Sequence, residues 1–321
     1  MMADPKISIE LSNEKQEIFY PGEKISGHVV IELDKPLETK NVCLTFGGKG
    51  DVVWVETIAD DIETYHGKEE IFMFEHIFYG QRKSSSRVVL PTGRTSYSFV
   101  FSVPNGIPSS YTGIKIGFIR YEMEAQITLA YKSNIKVKRT IHIHEVIDCN
   151  LPRYLSGIGM SCTEDVGFCC YKYGPIRMSA LIPGRSCFCP GENIPIEMMI
   201  ENNSSKLVTE ATIKLIQTAI YREHHEHHKD GPITVRDYTI AKSKVLFKDS
   251  TYLRYIGEGL TAPENTSPTN WRLKIIKVRY HVEVRIDLSW TTNEPCIEIP
   301  IIIGTVPLGI KSKDINQNNW F

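Results

Sequence analysis

Period-two alternation of apolar and polar side chains runs the length of this chain and limits its fold more than any other feature. Successive side chains of a strand point to opposite faces, so sustained alternation writes a strand with one face buried. Ile7, Ile9 and Leu11 open the series. Val29/Ile31/Leu33, Val42/Leu44/Phe46 and Phe99/Phe101/Val103 continue it, and Tyr121, Met123, Ala125, Ile127 and Leu129 make one long strand. The second half keeps the habit in Ile194/Ile196/Met198/Ile200, in Val278/Tyr280/Val282/Val284/Ile286/Leu288 and in Ile297/Ile299/Ile301/Ile303. Turn-forming residues such as Pro21-Gly22, Pro104-Asn105-Gly106 and Pro190-Gly191 separate the runs. No stretch sustains a 3.6-residue apolar period. Half-polar faces predict antiparallel sheets, because strands of parallel sheets are buried on both sides. Many short strands without intervening helices predict a sandwich or barrel.

The pattern occurs twice. Pro21-Gly22-Glu23-x-Ile25, followed by Ile31-Glu32, returns as Pro190-Gly191-Glu192-x-Ile194, followed by Ile200-Glu201, 169 positions on. Arg120-Tyr121-Glu122-Met123-Glu124 resembles Arg279-Tyr280-His281-Val282-Glu283, 159 positions on. Loop deletions account for the difference in offset, and a repeat this long is a duplicated domain rather than a solenoid. In the Pro-Gly-Glu turn, Pro presets φ and Gly accepts the positive φ of a type II turn. The expected division is a first domain at 6–148, a linker at 149–172, a second domain at 173–307 and a short tail at 308–321. The linker begins in a stretch rich in Gly, Ser, Pro and Asn that shows no sustained pattern.

Composition excludes several classes. Hydrophobic residues make up 41% and charged residues 23%, which is globular usage rather than disorder. The formal net charge is −1, whereas a general nucleic-acid binder needs a basic excess to release phosphate counterions. Met1-Met2-Ala3-Asp4-Pro5-Lys6 is not a secretory leader, and the apolar run at 297–303 carries Glu298 and Pro300 and is too short to cross a bilayer. The expected address is cytoplasmic, with no direct membrane insertion and with the eight cysteines reduced.

The ordered motifs resemble one family. Phe99-x-Phe101-x-Val103-Pro104, Pro108-Ser109-Ser110-Tyr111-x-Gly113 and Gly117-x-Ile119-Arg120-Tyr121 are similar to the signature of the alpha-arrestins, the arrestin domain-containing proteins. Tyr20-Pro21-Gly22-Glu23 resembles the opening of their first domain, and Cys189-Pro190-Gly191-Glu192 with Glu201-Asn202 resembles their second. The resemblance spans nearly the whole chain. It implies two tandem immunoglobulin-like antiparallel β-sandwich domains (the arrestin fold), joined by a short hinge, each presenting a concave face. It also implies a non-enzymatic adaptor in protein trafficking and endocytosis, recruited to the plasma membrane or endosomes, whose partners are cytoplasmic parts of membrane proteins. WW-domain ubiquitin ligases are further partners of the family through Pro-Pro-x-Tyr motifs. These 321 residues contain no Pro-Pro dipeptide, so that mode of recruitment has no visible motif here. One relative engages thioredoxin through a cysteine; residues 257–270 hold none, and that activity is not carried over. A retromer-type sorting subunit is an alternative with the same bilobed shape, and a metal-dependent β-sandwich enzyme is a third reading.

That third reading rests on clusters that composition alone leaves without geometry. Cys162, Cys169, Cys170, Cys187 and Cys189 lack paired knuckle spacing, and buried cysteine is a common core residue. The adjacent Cys169 and Cys170 are expected on opposite faces of a strand. Glu223-His224-His225-Glu226-His227-His228 reads as an exposed hairpin tip, and His142 with His144 as one solvated strand face. Gly47-Gly48-Lys49-Gly50 misses phosphate-loop spacing. Arg120 and Arg279 are expected to neutralise buried carboxylates or carbonyls at equivalent sites. No catalytic, cofactor-binding or metal-ligating residue is assigned, and no cofactor is expected. Purified protein should accordingly hold no stoichiometric zinc; zinc retained through mild dialysis and lost in H225A/H227A contradicts this reading.

Overall fold

A computed structural model of the chain describes residues 5–58, 61–81, 87–130, 133–224, 231–248, 251–288 and 293–310. It resolves into two units. The first comprises Met1–Glu145 with Tyr221–Ile233 and Arg272–Ile276; the second comprises Val146–Ile220, Thr234–Trp271 and Lys277–Phe321. Strand is the dominant state, and the one helical element among the described residues is a single 3-10 turn.

In chain order the first strands are β1 (Lys6–Leu11), β2 (Ile18–Phe19), β3 (Lys24–Leu33), β4 (Leu37–Thr39), β5 (Asn41–Ile58), β6 (Asp61–Gly80), β7 (Val88–Leu90), β8 (Gly93–Ser102), β9 (Tyr111–Thr112), β10 (Gly117–Thr128) and β11 (Ile135–Ile143). One sheet runs β1-β3-β8 and another runs β2-β11-β10-β5-β6, with β9 on β10 and a small β4-β7 pair. Alternation predicts this layering well. In β10, Tyr121, Met123, Ala125 and Ile127 are fully buried while the residues between them face water. Val29, Leu44 and Phe46 are likewise inaccessible. Each buried Val, Leu, Ile, Met or Phe among them contributes about 1.5–3 kcal/mol by leaving water.

Then follow β12 (Ile158–Phe168), β13 (Tyr171–Ile182), β14 (Cys187–Phe188), β15 (Asn193–Asn202), β16 (Glu210–Arg222), β17 (Ile233–Leu246), β18 (Tyr252–Thr261), β19 (Ile276–Ile286) and β20 (Cys296–Ile303). They form sheets β12-β13-β15-β18 and β14-β20-β19-β16-β17. The long pairings are antiparallel, as half-polar faces require. The two-residue strands β2 and β14 instead pair parallel, with β11 and β20 respectively.

The duplication is reproduced bond for bond. In each unit the Pro-Gly-Glu turn carries glycine at positive φ, 89° at Gly22 and 83° at Gly191, as the type II turn demands. The glutamate clamps its own turn: Glu23 Oε2 accepts the Tyr20 amide at 2.8 Å, and Glu192 Oε2 accepts the Cys189 amide at 2.7 Å. The Gly22 amide reaches the Val103 carbonyl at 2.9 Å, and the Gly191 amide reaches the Ala262 carbonyl at 2.7 Å. A second clamp lies in the loop before β10 and in its counterpart before β19. The buried Tyr121 hydroxyl donates to the Pro108 carbonyl at 2.7 Å, and the buried Tyr280 hydroxyl donates to the Ser267 carbonyl at 2.6 Å, both thirteen residues upstream. The amide of Ser110 donates to the Ile143 carbonyl while the Ser110 hydroxyl accepts the Ile143 amide; Thr269 and Ile303 repeat the exchange. Backbone groups that a loop would leave unpaired are thus tied to the closing strand of the same unit.

The stretch 149–172, expected as a linker, contains a 3-10 turn at Pro152–Tyr154 and the whole of β12. Its strand escaped the alternation test because β12 is a sheet edge with Val166 as its one buried side chain. Residues 311–321 of the expected tail lie outside the described residues.

Tyr121→Phe strands the buried Pro108 carbonyl, and Tyr280→Phe strands the partly buried Ser267 carbonyl and the buried Gln217 amide; each should cost about 1–3 kcal/mol in urea unfolding. Burial pushes both phenols far above their ordinary range. Their contribution is therefore complete below about pH 10, where the unfolded chain keeps the proton, and is lost as pH rises further. A cost below a few tenths of a kcal/mol in both variants contradicts the clamp.

Candidate binding surface

The first unit presents the outer face of its larger sheet, built where β10 lies between β11 and β5. Register places Arg120 opposite Lys49, Glu122 opposite Gly47, and Glu124 between Thr45 and Lys138. On the far side of β5, Lys49 meets Glu70, Asp51 meets Lys68 and Gly47 meets Met73. These residues line a shallow open depression of about 370 Å³. β6 is the edge of this sheet: beyond β5, its described pairing is one bridge, Gly67 to His224. Met73 and Ile77, 61% and 38% exposed, lie along that edge on either side of Glu75, beside the charged rows.

The glycines of the Gly47-Gly48-Lys49-Gly50 string explain its place inside β5. A Cβ at Gly48 would land on the Tyr121 ring, whose hydroxyl makes the first unit's clamp. The register of β5 against β6 also slips between Gly48 and Lys49, the irregularity a bulge introduces. The string therefore makes room for a buried ring and holds no phosphate loop.

Charge on this face is compensated. Lys136 bonds Glu124 at 2.6 Å, Lys138 reaches Glu124 at 3.3 Å and Glu122 at 3.7 Å, and Arg120 approaches Glu122 at 3.8 Å while covering the Phe118 ring. The hydrogen bond from Lys136 holds the Glu124 carboxyl below its usual range. The depression is lined by Lys49, Lys68, Arg120 and Lys138 against Asp51, Glu69, Glu70, Glu122 and Glu124. Signs alternate, so this face has no unopposed field with which to steer a polyanion. The second unit offers a different surface. The sheet of β12, β13, β15 and β18 holds an open depression of about 570 Å³ lined by Met160, Leu181, Met199, Glu197 and Arg254 among others. Exposed thioethers and aliphatics dominate its rim, and flexible methionines suit an adaptable apolar contact.

The clusters singled out in the sequence disperse. Cys169 and Cys170 are exposed at the β12–β13 turn, not on opposite faces of a strand, and Cys162 is half-buried. Cys187 and Cys189 are buried and meet Cys149, a neighbour that no spacing rule pointed to. His142 is exposed on β11, whereas His144 lies past the end of β11, partly buried edge-on against Tyr20, so the two do not share one solvated face. His225 to His228 lie outside the described residues, and the His224 amide donates to the His66 carbonyl at 3.3 Å. Among the described residues no His, Cys, Asp or Glu group has metal-binding geometry. Arg120 and Arg279 sit on the water side, correcting the expectation that they neutralise buried groups. The repeat is carried instead by the tyrosine after each arginine, which strand alternation turns inward.

Comparisons with known proteins agree with this architecture. Residues 7–150 match the model for the arrestin (or S-antigen) N-terminal domain, and residues 172–308 match that for the arrestin (or S-antigen) C-terminal domain. Arrestin domain-containing protein 17 of Caenorhabditis elegans is 26% identical over 311 residues, covering 92% of this chain and 70% of the relative. Arrestin domain-containing protein 4 of Homo sapiens is 26% identical over 311 residues, covering 94% and 71%. The human thioredoxin-interacting protein is 21% identical over 299 residues, covering 91% and 73%.

Desolvation pulls the His144 imidazole down to about 4. An unfolded histidine titrates near 6.5, so protonation favours unfolding: stability is full above about pH 6.5 and falls as pH drops toward 4. His144→Gln should flatten that slope in pH-dependent urea titrations; an unchanged slope contradicts the assignment.

Proposed function

The chain belongs to the alpha-arrestins, the arrestin domain-containing proteins, and on that footing we propose that it is a non-enzymatic adaptor in protein trafficking. It works in the cytoplasm, holding cytoplasmic segments of membrane proteins and bringing them to endocytic or ubiquitin-ligase machinery at the plasma membrane or endosomes. The observation that carries this reading is the open edge of β6, flanked by the exposed Met73 and Ile77 side chains and a charge-compensated face. An edge strand exposes unpaired N–H and C=O groups that template an added peptide strand, and neighbouring apolar side chains select its residues. Signs that alternate across the face favour a peptide of mixed charge over a polyanion. No helix among the described residues is long and apolar enough to cross a membrane.

These residues hold no Pro-Pro-x-Tyr motif for WW-domain ligases. Full-length protein immobilised and exposed to detergent-solubilised membranes should enrich integral membrane proteins through their cytoplasmic segments. Met73→Lys/Ile77→Lys should reduce that capture severalfold while leaving stability within about 0.5 kcal/mol, as exposed substitutions do. Equal capture by the variant and the native chain, or no membrane protein in either, contradicts the proposal.

A further inference from the structure

Three thiols converge inside the second unit, away from the surfaces described above. Cys149 Sγ lies 2.6 Å from Cys187 Sγ and 3.8 Å from Cys189 Sγ, and all three residues are buried. Ile147, Tyr154 and Ile302 pack around them. Gly304 closes the pocket, since a Cβ there would meet the sulfurs of both Cys149 and Cys187. The backbone fixes the participants. The Cys149 amide donates to the Val306 carbonyl at 3.1 Å, Cys187 pairs with Ile302 through β14 and β20, and the Cys189 amide is held by Glu192 in the Pro-Gly-Glu turn.

Sulfurs bound to one tetrahedral zinc sit about 3.8 Å apart, given Zn–S bonds of about 2.3 Å. The 2.6 Å separation leaves no seat for an ion between Cys149 and Cys187. It is roughly 0.6 Å longer than a disulfide bond. We propose that Cys149 and Cys187 are a peroxide-responsive dithiol that closes to a disulfide within the second unit, with Cys189 as the positioning thiol. Hydrogen bonds from Cys187 and Cys189 hold the Cys149 thiol below its ordinary range, and the same contacts push the other two above it. Arg185, ion-paired to Glu192 at 3.1 Å, adds positive charge that favours the Cys149 thiolate.

The chemistry balances in two displacements. The Cys149 thiolate attacks one oxygen of hydrogen peroxide; the S–O bond forms, the O–O bond breaks, and the departing hydroxide takes a proton to become water. The Cys187 sulfur then attacks the sulfenic sulfur of Cys149. The S–S bond forms, the S–O bond breaks, and hydroxide leaves with the proton from Cys187 as a second water. Two thiols and one peroxide give one disulfide and two waters, the sulfurs losing the two electrons that the peroxide oxygens gain. The new bond encloses the β12–β13 hairpin in a covalent loop and removes conformational freedom from the unfolded chain.

The test uses the full chain carrying C169S/C170S, which removes the exposed thiols that would react first. Reduced protein is treated with stoichiometric hydrogen peroxide, alkylated under denaturing conditions, and digested with trypsin and chymotrypsin; cleavage after Phe188 separates Cys187 from Cys189. Mass spectrometry should find a disulfide joining the Cys149 and Cys187 peptides, with Cys189 alkylated, and the oxidised protein should melt several degrees higher. Adding C189S should leave the same linkage but slow its formation severalfold, an effect that a merely structural Cys189 would not produce. Free alkylation of both Cys149 and Cys187, a linkage through Cys189 instead, or one equivalent of tightly held zinc in the purified protein overturns the proposal. The peptide assignment needs no variant at Cys149 or Cys187, so the outcome does not depend on such a variant folding.

Discussion

Everything in either unit depends on a buried tyrosine hydroxyl bonded to a backbone carbonyl thirteen residues upstream, Tyr121 to Pro108 and Tyr280 to Ser267. A long loop that returns to a sandwich brings polar backbone with it, and in a water-free interior each orphaned group costs roughly 1–3 kcal/mol. The hydroxyl supplies a donor at the point where strand alternation has already placed a large ring. Ser110 and Thr269 finish the closure by exchanging two hydrogen bonds with Ile143 and Ile303. Beside these closures, Glu23 and Glu192 close their own turns, since Ile143 pairs with Phe19 and Ile303 with Phe188. These clamps convert two sheets with open ends into two self-contained frames, and frames of this kind can hold exposed edges and faces in fixed positions.

The strands of the core were legible in the sequence because their apolar residues recur every second position and one face is dry. The type II turns were equally legible, because only glycine occupies positive φ cheaply and the proline before it sets the other angle. β12 was not, since a sheet edge with a single buried valine writes no alternation. The repeated Arg-Tyr pair shows a subtler failure. The charge attracted a functional reading, yet the arginines face water and the adjacent tyrosines carry the structure. Gly48 belongs to the same lesson, since its lack of a side chain makes sense only once the Tyr121 ring is seen above it. The convergence of Cys149 on Cys187 and Cys189 was invisible because those residues meet through the closing strands, not through sequence proximity.

The binding surface follows from the same physics. β6 is an edge strand, so its outer face carries the exposed Met73 and Ile77 beside paired charges. Compensated charge limits long-range steering and leaves recognition to backbone pairing and shape. The proposed adaptor role fits that arrangement, because peptides of differing sequence share one backbone. The second unit's methionine-rimmed face adds a surface of different chemistry on a frame of the same design.

The central claim is that both units are closed by equivalent clamps, and native-state hydrogen exchange tests it most directly. The amides of Ser110, Ile143, Thr269 and Ile303 should exchange as slowly as the core amides of β10 and β19, since opening the clamp requires opening the unit. Exchange of these amides at the rate of an exposed loop, in either unit, would contradict the account.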